Sequence, residues 1–455
     1  MMTQTAPPGH RLLFLLPFPP RLDAAHGGGK VIAQLINRLA TRHQVALIYL
    51  RGADEPPLDD ALRAKCAWVE EVVRPWTRLT LSDQLIRNIR LVVSLLGRMR
   101  PMWVTDWHSS QFEQRVQKAI AQWQPEVVQA DFHIMGQYFA QVRRCESSLR
   151  TGHERAGVNA RAQQRSPGGF FNSTVNGRAA ARIPCVLVEY EPGLRAAPYL
   201  KKSLPLLIRS ALHRLDRKAW QKYEQAIIRQ AQTVVVFTAS DKKALAPFLQ
   251  RTPARVIPIG IDIPQHSANP AGSDPPSLVF VGNFLHPPNI DAAQWLMQDI
   301  FPRLQNEFPS LKLVIVGDHP TPALKRFAND YINLTGHVPD VAPYLNDAAV
   351  FVAPMQTGGG MRVKVLEALA AGKAVVATPL AAEGLAVTDG DQIALAQTSA
   401  EFAQRIAALL RDPVARAAMA SRARAWAEVH LGWPASVAAY EAVYDGILAE
   451  TGLSP

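Results

Sequence analysis

The sequence predicts an α/β protein in which two doubly wound domains face each other across a cleft. Short apolar runs rich in Val, Leu and Ile alternate with segments of helical period in both halves of the 455-residue chain. A glycine triplet follows an apolar run in each half, at residues 27–29 and 358–360, where open parallel sheets bind ligands. A stretch rich in Pro, Ser, Asn and Gly separates the two halves.

A chain of this length exceeds what one ordinary hydrophobic core supports, which also favours two large domains. We expect the first domain in residues 1–262, a linker in 263–276 and the second domain in 277–432. Residues 433–455 are expected to form a terminal helix that crosses back to the first domain. Residues 146–182 are rich in Arg, Gly, Ser and Asn without a sustained period, and we expect a mobile insertion there.

The first half begins with a strand, a Gly-rich loop, a helix and a strand. Further strands are predicted from apolar runs at 126–130, 185–190, 233–239 and 255–260. Gly27, Gly28 and Gly29 follow the first strand, but their spacing is not that of the dinucleotide-binding GxGxxG motif. A ligand loop and a purely structural turn both remain open.

The second half repeats this pattern. Its predicted strands lie at 277–282, 311–317, 332–336, 349–354 and 374–378, and its predicted helices at 291–308, 321–330, 341–347 and 361–371. The segment from Thr357 to Gly372 places three glycines and two cations at the start of a buried helix. A helix start attracts anions, and Arg362 and Lys364 are unfavourable there without an anionic partner. This predicts a site for a phosphorylated ligand; a solvated Lys364–Glu367 pair on an ordinary helix is the alternative.

Charge divides unevenly between the halves. Residues 1–272 contain 37 basic and 20 acidic residues, whereas residues 273–455 contain 12 basic and 18 acidic ones. Segments 79–100 and 199–222 interleave aliphatic residues with Arg and Lys at helical spacing, as in helices that lie on an anionic membrane. The alternative is an amphipathic helix packed on its own sheet. No nucleic-acid-binding signature accompanies the charge, so we expect no nucleic-acid partner.

Three cysteines, Cys66, Cys145 and Cys185, lie far apart without metal-ligand spacing, which favours reduced thiols and a cytoplasmic protein. The apolar run at 12–18 ends in Pro-Phe-Pro-Pro without a small-residue cleavage site, and it predicts a first buried strand. No apolar run reaches membrane-spanning length, so any membrane contact is expected to be peripheral, at the inner face.

The motif series FVGNFLHPPNIDAAQWL, LVIVGDHP, LTGHVPDVAPYLNDAAVFVAP, GGGMRVKVLEALAAGKAVVAT and AAEGL resembles the nucleotide-sugar-binding domain of family-four glycosyltransferases. These are retaining enzymes with the two-domain GT-B fold. The HGGGK loop and the segment TVVVFTASDKKALAPF in the first half are similar to the same family. The resemblance covers most of the chain except the insertion.

The resemblance implies a nucleotide-diphosphate sugar donor in the second domain, a polysaccharide or lipid-linked acceptor bound mainly by the first, and neither metal nor cofactor. It implies Glu367 on the donor ribose and a loop of Gly336, His337 and Val338 on the base. For His337, a plain surface position in that turn is the alternative. We assign Arg362 and Lys364 to the diphosphate. Gly282 and Asn283 follow the first strand of the donor domain, and Gly27–Gly29 form the expected acceptor or phosphate loop.

Two departures from the family pattern stand out. Gly359 occupies the position of a Glu that often contacts the donor sugar, and backbone amides of Gly358, Gly359 and Gly360 are expected to substitute. The family commonly carries an Arg and a Lys after the first donor-domain strand, where this chain has Asn283 and then Pro288 or Asn289.

The family mechanism implies that the leaving diphosphate helps to deprotonate the acceptor. Candidates for a further catalytic group are expected to line the cleft from the first domain, and a structural role remains open for each. They are Asp131 and His133 after one strand, and Glu189, Tyr190 and Glu191 after another. A nucleotide-sugar epimerase of the same fold and a non-catalytic nucleotide-sugar-binding protein are the alternative functions.

Overall fold

The computed structural model describes residues 9–23, 27–53, 55–74, 80–146, 182–190, 206–358 and 362–451. It contains two parallel sheets, each covered by helices, as the predicted α/β class requires. The first sheet has the strand order β3-β2-β1-β4-β5-β6-β7. Its strands are β1 Arg11–Leu16, β2 Gln44–Arg51, β3 Trp68–Val73, β4 Val127–Asp131, β5 Cys185–Glu189, β6 Thr233–Val236 and β7 Ala254–Val256.

The second sheet has the order β10-β9-β8-β11-β12-β13, so that β8 occupies a central position as β1 does in the first. The strand order reverses at each of these central strands, and ligands bind at such switch points beyond the carboxyl ends of the strands. The strands are β8 Ser277–Val281, β9 Lys312–Val316, β10 Ile332–Gly336, β11 Val350–Ala353, β12 Val375–Ala377 and β13 Ala394–Leu395.

Helices connect the parallel strands. In the first half they are α1 Gly27–Leu39, α2 Asp60–Lys65, α3 Leu81–Arg98, α4 Met102–Asp106, α5 Ser110–Gln122, α6 Leu206–Ile228 and α7 Ala239–Leu249, with a 3₁₀ turn at His133–Tyr138. In the second half they are α8 Pro287–Trp295, α9 Phe301–Gln305, α10 Pro322–Lys325, α11 Ala342–Asp347, α12 Val363–Ala370, α13 Ser399–Arg411, α14 Pro413–His430 and α15 Trp433–Glu450, with a π-helical turn at Leu296–Ile300. None of these helices combines the length and the apolar character that crossing a bilayer requires.

The structure corrects several predicted elements. Strands β3 and β13 were missed, because β3 is an edge strand of mostly half-buried residues and β13 has only two residues. The predicted helix 321–330 is confined to Pro322–Lys325. Asn329 Oδ1 accepts hydrogen bonds from the amides of Tyr331 at 2.8 Å and Ile332 at 2.9 Å, which turns the backbone into β10 instead.

The ends of the predicted insertion lie close together, while residues 147–181 are outside the described residues. Glu146 Oε1 accepts hydrogen bonds from Arg143 Nη1 at 2.9 Å and from the Ile183 amide at 2.5 Å. Residues 182–184 then lead directly into β5. The two boundary segments are therefore joined by polar contacts beside the sheet.

The last helix, α15, packs against the first domain. Buried Tyr444 donates a 2.6 Å hydrogen bond to Gln129 Oε1 on β4. At the surface, Glu441 pairs with Arg42 at 3.0 Å and Asp445 with His10 at 2.6 Å. The first residue of α15, Trp433, lies under the Arg38 guanidinium at 4.6 Å. These contacts attach the end of the chain to the first sheet and α1.

Candidate functional site

The glycine turn after β11 leads into α12 at the switch point of the second sheet. Gly358 has a φ of +104°, a left-handed conformation that side chains other than glycine rarely adopt. Arg362 precedes the helix with a non-helical backbone, and no side chain caps the first amides. Val365, Leu366 and Leu369 bury the inner face of α12 in the core. The helix is thus fixed with its positive end at the carboxyl edge of β11. Gly359 and Gly360 lie outside the described residues.

Arg362 is only 8% exposed and folds back over the glycine turn. Its Nη2 donates a 2.8 Å hydrogen bond to the Gly358 carbonyl oxygen. The guanidinium is therefore held in one place at the helix start. A planar cation in this position suits an anion with several oxygens.

Lys364 lies one residue inside α12 and is half-buried. Its Nζ donates a 2.6 Å hydrogen bond to Asn289 Oδ1 and sits 4.6 Å from the centre of the Phe280 ring. Burial lowers the pKa of Lys364 to about 7; the nearby positive charge of Arg362 adds to the lowering, and Glu367 opposes it. This ammonium group exchanges its proton near neutral pH and gains its charge most readily when an anion is bound.

The loop after β8 holds the partner of Lys364. Asn289 Nδ2 donates a 2.7 Å hydrogen bond to the Asn283 carbonyl oxygen. A Cβ on Gly282 would lie 3.1 Å from Asn289, and a Cβ on Gly317 would lie 1.7 Å from the Gly282 carbonyl oxygen. Glycine at both positions thus permits the close packing beneath Asn289. Sequence reasoning missed Gly317, although its position after β9 in LVIVG was a usable signal.

Glu367 lies on the half-buried side of α12 beyond Lys364. Burial raises its pKa, Lys30 and Lys364 oppose this with their positive charges, and Asp262 adds to the rise. Lys30 follows the glycines of the first domain, so its charge reaches Glu367 from across the cleft. The sequence reading had not assigned Lys30 to the site.

Gly27, Gly28 and Gly29 form the first turn of α1 instead of a loop before it. A Cβ on Gly27 would lie 3.1 Å from Val363 Cγ2. The amino-terminal ends of α1 and α12 therefore face each other at the cleft. Two positive helix ends beside Arg362 and Lys364 make this region strongly electropositive.

The predicted base loop begins at the end of β10. Gly336 has a φ of +71°, and its carbonyl oxygen accepts a 3.2 Å hydrogen bond from the Gly317 amide. The His337 side chain is 68% exposed, with Nδ1 3.7 Å from Asp318 Oδ2. Val338 packs partly on the core. The strands β10 and β11 belong to one parallel sheet, in which β9 and β8 lie between them. The loop after β10 and the glycine turn after β11 therefore lie at the same edge of that sheet.

The acceptor-side candidates His133 and Glu189 meet at the ends of β4 and β5. His133 Nδ1 lies 3.1 Å from Glu189 Oε2, and the residues are 3% and 0% exposed. The rings of Trp103 and Trp220 approach His133 edge-on, with centroid distances of 5.2 and 4.9 Å. His133 Nε2 and Glu189 Oε1 are buried without a hydrogen-bond partner. The expectation that these groups line the open cleft is therefore not met in this conformation.

Asp131 anchors a second buried network. Its carboxylate accepts hydrogen bonds from Tyr190 OH at 3.2 Å and from Gln129 Nε2 at 3.1 Å. Burial raises the pKa of Asp131 to about 7. Phe132 follows with a φ of +67° and stacks on the Tyr190 ring at 4.1 Å. Backbone strain next to buried polar groups is typical of functional sites. Glu191 lies outside the described residues.

The two domains also touch between residues 238–240 and residues 383–384. Ser240 Oγ donates a 2.9 Å hydrogen bond to Glu383 Oε1. Gly384 has a φ of +82°, and a Cβ on it would lie 2.2 Å from Thr238 Cγ2. The AAEGL motif thus supplies a close approach between the domains. Nowhere in the described part of the chain do three His, Cys, Asp or Glu side chains gather as a metal site would require.

Comparison with known proteins matches part of the second domain to a family. Residues 275–412 match the model of the family described as Glycosyl transferases group 1. A phosphatidyl-myo-inositol mannosyltransferase of Mycolicibacterium smegmatis is 28% identical over 178 residues, which cover 37% of this chain and 45% of that protein. Its counterpart in Mycobacterium leprae is 30% identical over 171 residues, covering 35% and 45%. An uncharacterised 44.6 kDa protein in the cps region of Klebsiella pneumoniae is 27% identical over 139 residues, covering 29% and 36%. The chain therefore spans less than half the length of the curated relatives it matches.

Solved structures resemble the whole chain. Sucrose-phosphate synthase from Thermosynechococcus elongatus superposes with a TM-score of 0.65 at 14% identity, covering 97% of this chain and 100% of that one. HepE of Anabaena in complex with UDP and glucose gives 0.58 at 13% identity, with coverage of 97% and 100%. At these identities the likeness shows the fold. The predicted GT-B fold and the resemblance to family-four glycosyltransferases are confirmed.

Proposed function

We propose, from the match of residues 275–412 to glycosyl transferases group 1, that this protein is a hexosyltransferase-type glycosyltransferase. It would move a sugar from a nucleotide-diphosphate donor to a polysaccharide or lipid-linked acceptor. The observation that carries the proposal is the placement of Arg362 and Lys364 at the start of α12, facing the start of α1. HepE, a structure of the same fold, is bound to UDP and glucose, which supports a nucleotide-sugar donor.

Arg362, Lys364 and two helix starts would together hold the donor diphosphate. Departure of the diphosphate leaves negative charge on its oxygens, and preorganised cations and amides stabilise that charge most as the sugar bond breaks. These positive groups suit this role without a metal ion. Metal independence is therefore part of the proposal.

Glu367 and the Gly336–Val338 loop would hold the nucleoside. A half-buried carboxylate on α12 accepts hydrogen bonds from the ribose hydroxyls, while Lys30 balances its charge. Gly336 leaves open space where a side chain would project, so a base can approach the backbone there. The amides of Gly358–Gly360 would contact the sugar in place of the carboxylate that Gly359 replaces.

Transfer would retain the configuration at the anomeric carbon. The bond from that carbon to the diphosphate oxygen breaks, the acceptor oxygen forms a bond on the same face, and the hydroxyl proton passes to a diphosphate oxygen. No protein base is required for this balance. His133 and Glu189 are buried together, so in this conformation they would shape the acceptor side instead of taking the proton.

A lipid-linked acceptor is consistent with two of the relatives, which are named as mannosyltransferases of phosphatidyl-myo-inositol, a membrane lipid. The basic first domain favours contact with an anionic surface. We therefore propose that the enzyme works at the inner, cytoplasmic face of a membrane.

A thermal-shift screen against UDP, GDP, ADP and their hexose conjugates tests the donor proposal. A selective nucleotide stabilises the native state by mass action, by about 2.7 kcal/mol at a hundredfold excess over Kd. Transfer is then measured with that donor and extracts of glycolipid or polysaccharide. If none of the nucleotides shifts the unfolding midpoint, the donor site is wrongly assigned.

A non-catalytic nucleotide-sugar-binding protein is the second candidate, and the absence of a carboxylate at Gly359 favours it. It predicts a nucleotide-dependent thermal shift without product from any acceptor. An epimerase of the same fold would convert the donor sugar with no acceptor present. Chromatography of the donor incubated alone and with acceptor distinguishes the three functions.

A further inference from the structure

Helix α3 presents an apolar face to solvent. The side chains of Leu85, Ile86, Ile89, Val93 and Leu96 are between 54% and 62% exposed. At 100° per residue all five fall within an arc of about 100°. The helix's acidic residue, Asp83, is engaged in a capping box with Thr80 and lies off this arc. A soluble surface helix ordinarily places such residues on its buried side.

This face is held rigidly outward by the opposite side of α3. Leu91 and Leu95 are buried against Met102 and Ala219. Arg87 Nε donates a 2.6 Å hydrogen bond to Asp106 Oδ1, and Arg90 Nη2 donates one of 2.6 Å to the Thr105 carbonyl oxygen. The exposed apolar face is therefore a consequence of defined packing on α4 and α6. It is not an effect of a loosely placed helix.

The neighbouring helix α6 extends the surface. Leu207 is 82% exposed and Ile208 is 51% exposed at its start. Of the fourteen exposed large hydrophobic side chains in the described part of the chain, seven lie on α3 and α6. Such clustering marks an interaction surface, whereas single exposed apolar residues do not.

The exposed side of α6 is basic. Arg214, Lys218 and Lys222 are exposed, and at 100° per residue they fall on the same side of the helix as Leu207. The acids of α6, Asp216 and Glu224, are buried on the other side. An apolar stripe beside a row of cations is complementary to a bilayer whose headgroups are anionic.

We propose that α3 and the first turns of α6 form the surface on which this protein docks to an anionic lipid bilayer. The apolar face of α3 enters the headgroup boundary, and Arg214, Lys218 and Lys222 contact the lipid phosphates. The inference rests on the proposed function for its purpose, since a lipid-linked acceptor lies in that bilayer. The docking surface itself is argued from the exposed residues of α3 and α6 and does not depend on that function.

The docking surface is coupled to the acceptor side of the fold. The Met102 amide donates a 2.8 Å hydrogen bond to Asp216 Oδ1, which joins α4 to α6. Trp103 on α4 and Trp220 on α6 stack at 5.9 Å, and both rings contact His133. The bilayer would thus be presented next to the carboxyl ends of β4 and β5.

Co-sedimentation with phosphatidylcholine vesicles, alone or with about 30% phosphatidylglycerol, tests the surface. We expect wild type to bind the anionic vesicles and to be released in high salt. The double variant Leu85→Gln, Val93→Gln is expected to lose at least about tenfold of the binding. Val414→Gln, at an 80% exposed position on α14, is the matched control and is expected to bind like wild type.

The basic residues on the exposed side of α6 are tested by a triple variant, Arg214→Gln, Lys218→Gln, Lys222→Gln. Lys242→Gln, on α7, is the control. The triple variant is expected to lose the preference for anionic vesicles by about tenfold or more. Unchanged vesicle binding in the α3 double variant would overturn the proposal. The proposal would also be overturned if wild type did not bind vesicles but formed a concentration-dependent dimer that the α3 double variant abolished. The apolar face would then join two copies of the chain.

The same variants separate this inference from the proposed function. Their nucleotide-dependent thermal shift is read alongside vesicle binding. It is expected to match wild type, since α3 and α6 carry none of the residues assigned to the donor. Vesicle binding without sugar transfer from any donor would leave the surface standing and remove the transferase assignment. Sugar transfer without vesicle binding would keep the transferase assignment and remove the docking surface.

Discussion

Asn289 Oδ1 accepts a 2.6 Å hydrogen bond from Lys364 Nζ. The contact joins the loop after β8 to the first turn of α12, across the switch point of the second sheet. Asn289 is itself held by the Asn283 carbonyl oxygen. The family resemblance predicts a cation in the loop after β8, where this chain has Asn289. The Asn289 amide instead orients the Lys364 ammonium group, which lies on α12.

We predict that nucleoside diphosphate binding depends on pH through Lys364. Its pKa is about 7 in the free protein because burial disfavours the charge. A bound diphosphate favours the charged form, so binding takes up a proton and the affinity falls as pH rises above about 7. The loss is up to tenfold per pH unit until the pKa of the bound state is reached. Calorimetric titration with UDP, or the nucleotide chosen by the thermal-shift screen, between about pH 7.5 and 9 measures it, since the phosphate has ionised there.

Two variants control this prediction. Lys364→Arg keeps a charge at every pH, so its affinity is expected to stay flat over the same range. Asn289→Asp places a carboxylate against the ammonium, which competes with the diphosphate and is expected to weaken binding by about tenfold or more. A wild-type affinity that does not change with pH would contradict the assignment of Lys364.

A second prediction concerns Arg362. Arg362→Ala removes the guanidinium that the Gly358 carbonyl holds at the helix start. We expect donor turnover to fall by about 10²- to 10³-fold, as when one charge-stabilising donor is removed from an active site. Turnover is compared with the urea unfolding midpoint, and Arg362→Lys serves as control because it keeps the charge without the fork. Wild-type turnover in Arg362→Ala would refute the assignment.

Elements with strong periodicity and local turn chemistry could be predicted from the sequence. The apolar runs predicted most strands of both sheets, and the glycines between β11 and α12 indicated the candidate site for a phosphorylated ligand. These signals depend on neighbours in the chain. The edge strand β3 and the two-residue strand β13 lack such a signal, because their pairing is decided by the sheet.

The parts of the site that the sequence did not reveal depend on long-range contacts. Lys30 reaches Glu367 only because α1 and α12 meet at their starts. Likewise, Gln129 on β4 meets Tyr444 on α15, 315 residues away, in the buried network of Asp131. No spacing within one segment can predict these pairs.

The third prediction follows from that network. The pKa of Asp131 is raised by burial to about 7, above its ordinary 3.8, so the folded state binds a proton more readily than the unfolded state. This contribution to the free energy of unfolding is present below about pH 4 and is lost as pH rises to about 7. Asp131→Asn is expected to remove that dependence and, above pH 7, to be about 1–3 kcal/mol more stable than wild type.

Urea unfolding of both proteins at several values between pH 5 and 8 checks the Asp131 prediction. The free energy of unfolding of Asp131→Asn is expected to increase relative to that of wild type as pH rises. Asp106→Asn is the comparison variant, because it removes a different carboxylate of the same domain, one that is paired with Arg87. Parallel curves for wild type and Asp131→Asn would show that Asp131 is ionised in the fold.

The last prediction concerns closure of the two domains. A Cβ on Gly384 would lie 2.2 Å from Thr238 Cγ2 and 2.6 Å from Thr238 Cβ, and its φ of +82° disfavours any side chain. Gly384→Ala is therefore expected to push the domains apart at this point. Nucleotide binding by the second domain would persist, while transfer falls by about tenfold or more because the acceptor is misplaced.

Thr238→Ser in the Gly384→Ala background supplies the matched test. Serine removes Cγ2 but keeps the oxygen that accepts the 2.9 Å hydrogen bond from the Asp241 amide and caps α7. The double variant is expected to recover part of the lost transfer rate, although the backbone strain at position 384 remains. Transfer rates and small-angle scattering are measured together on the same samples. A Gly384→Ala protein with wild-type transfer and an unchanged scattering profile would show that this approach does not limit closure.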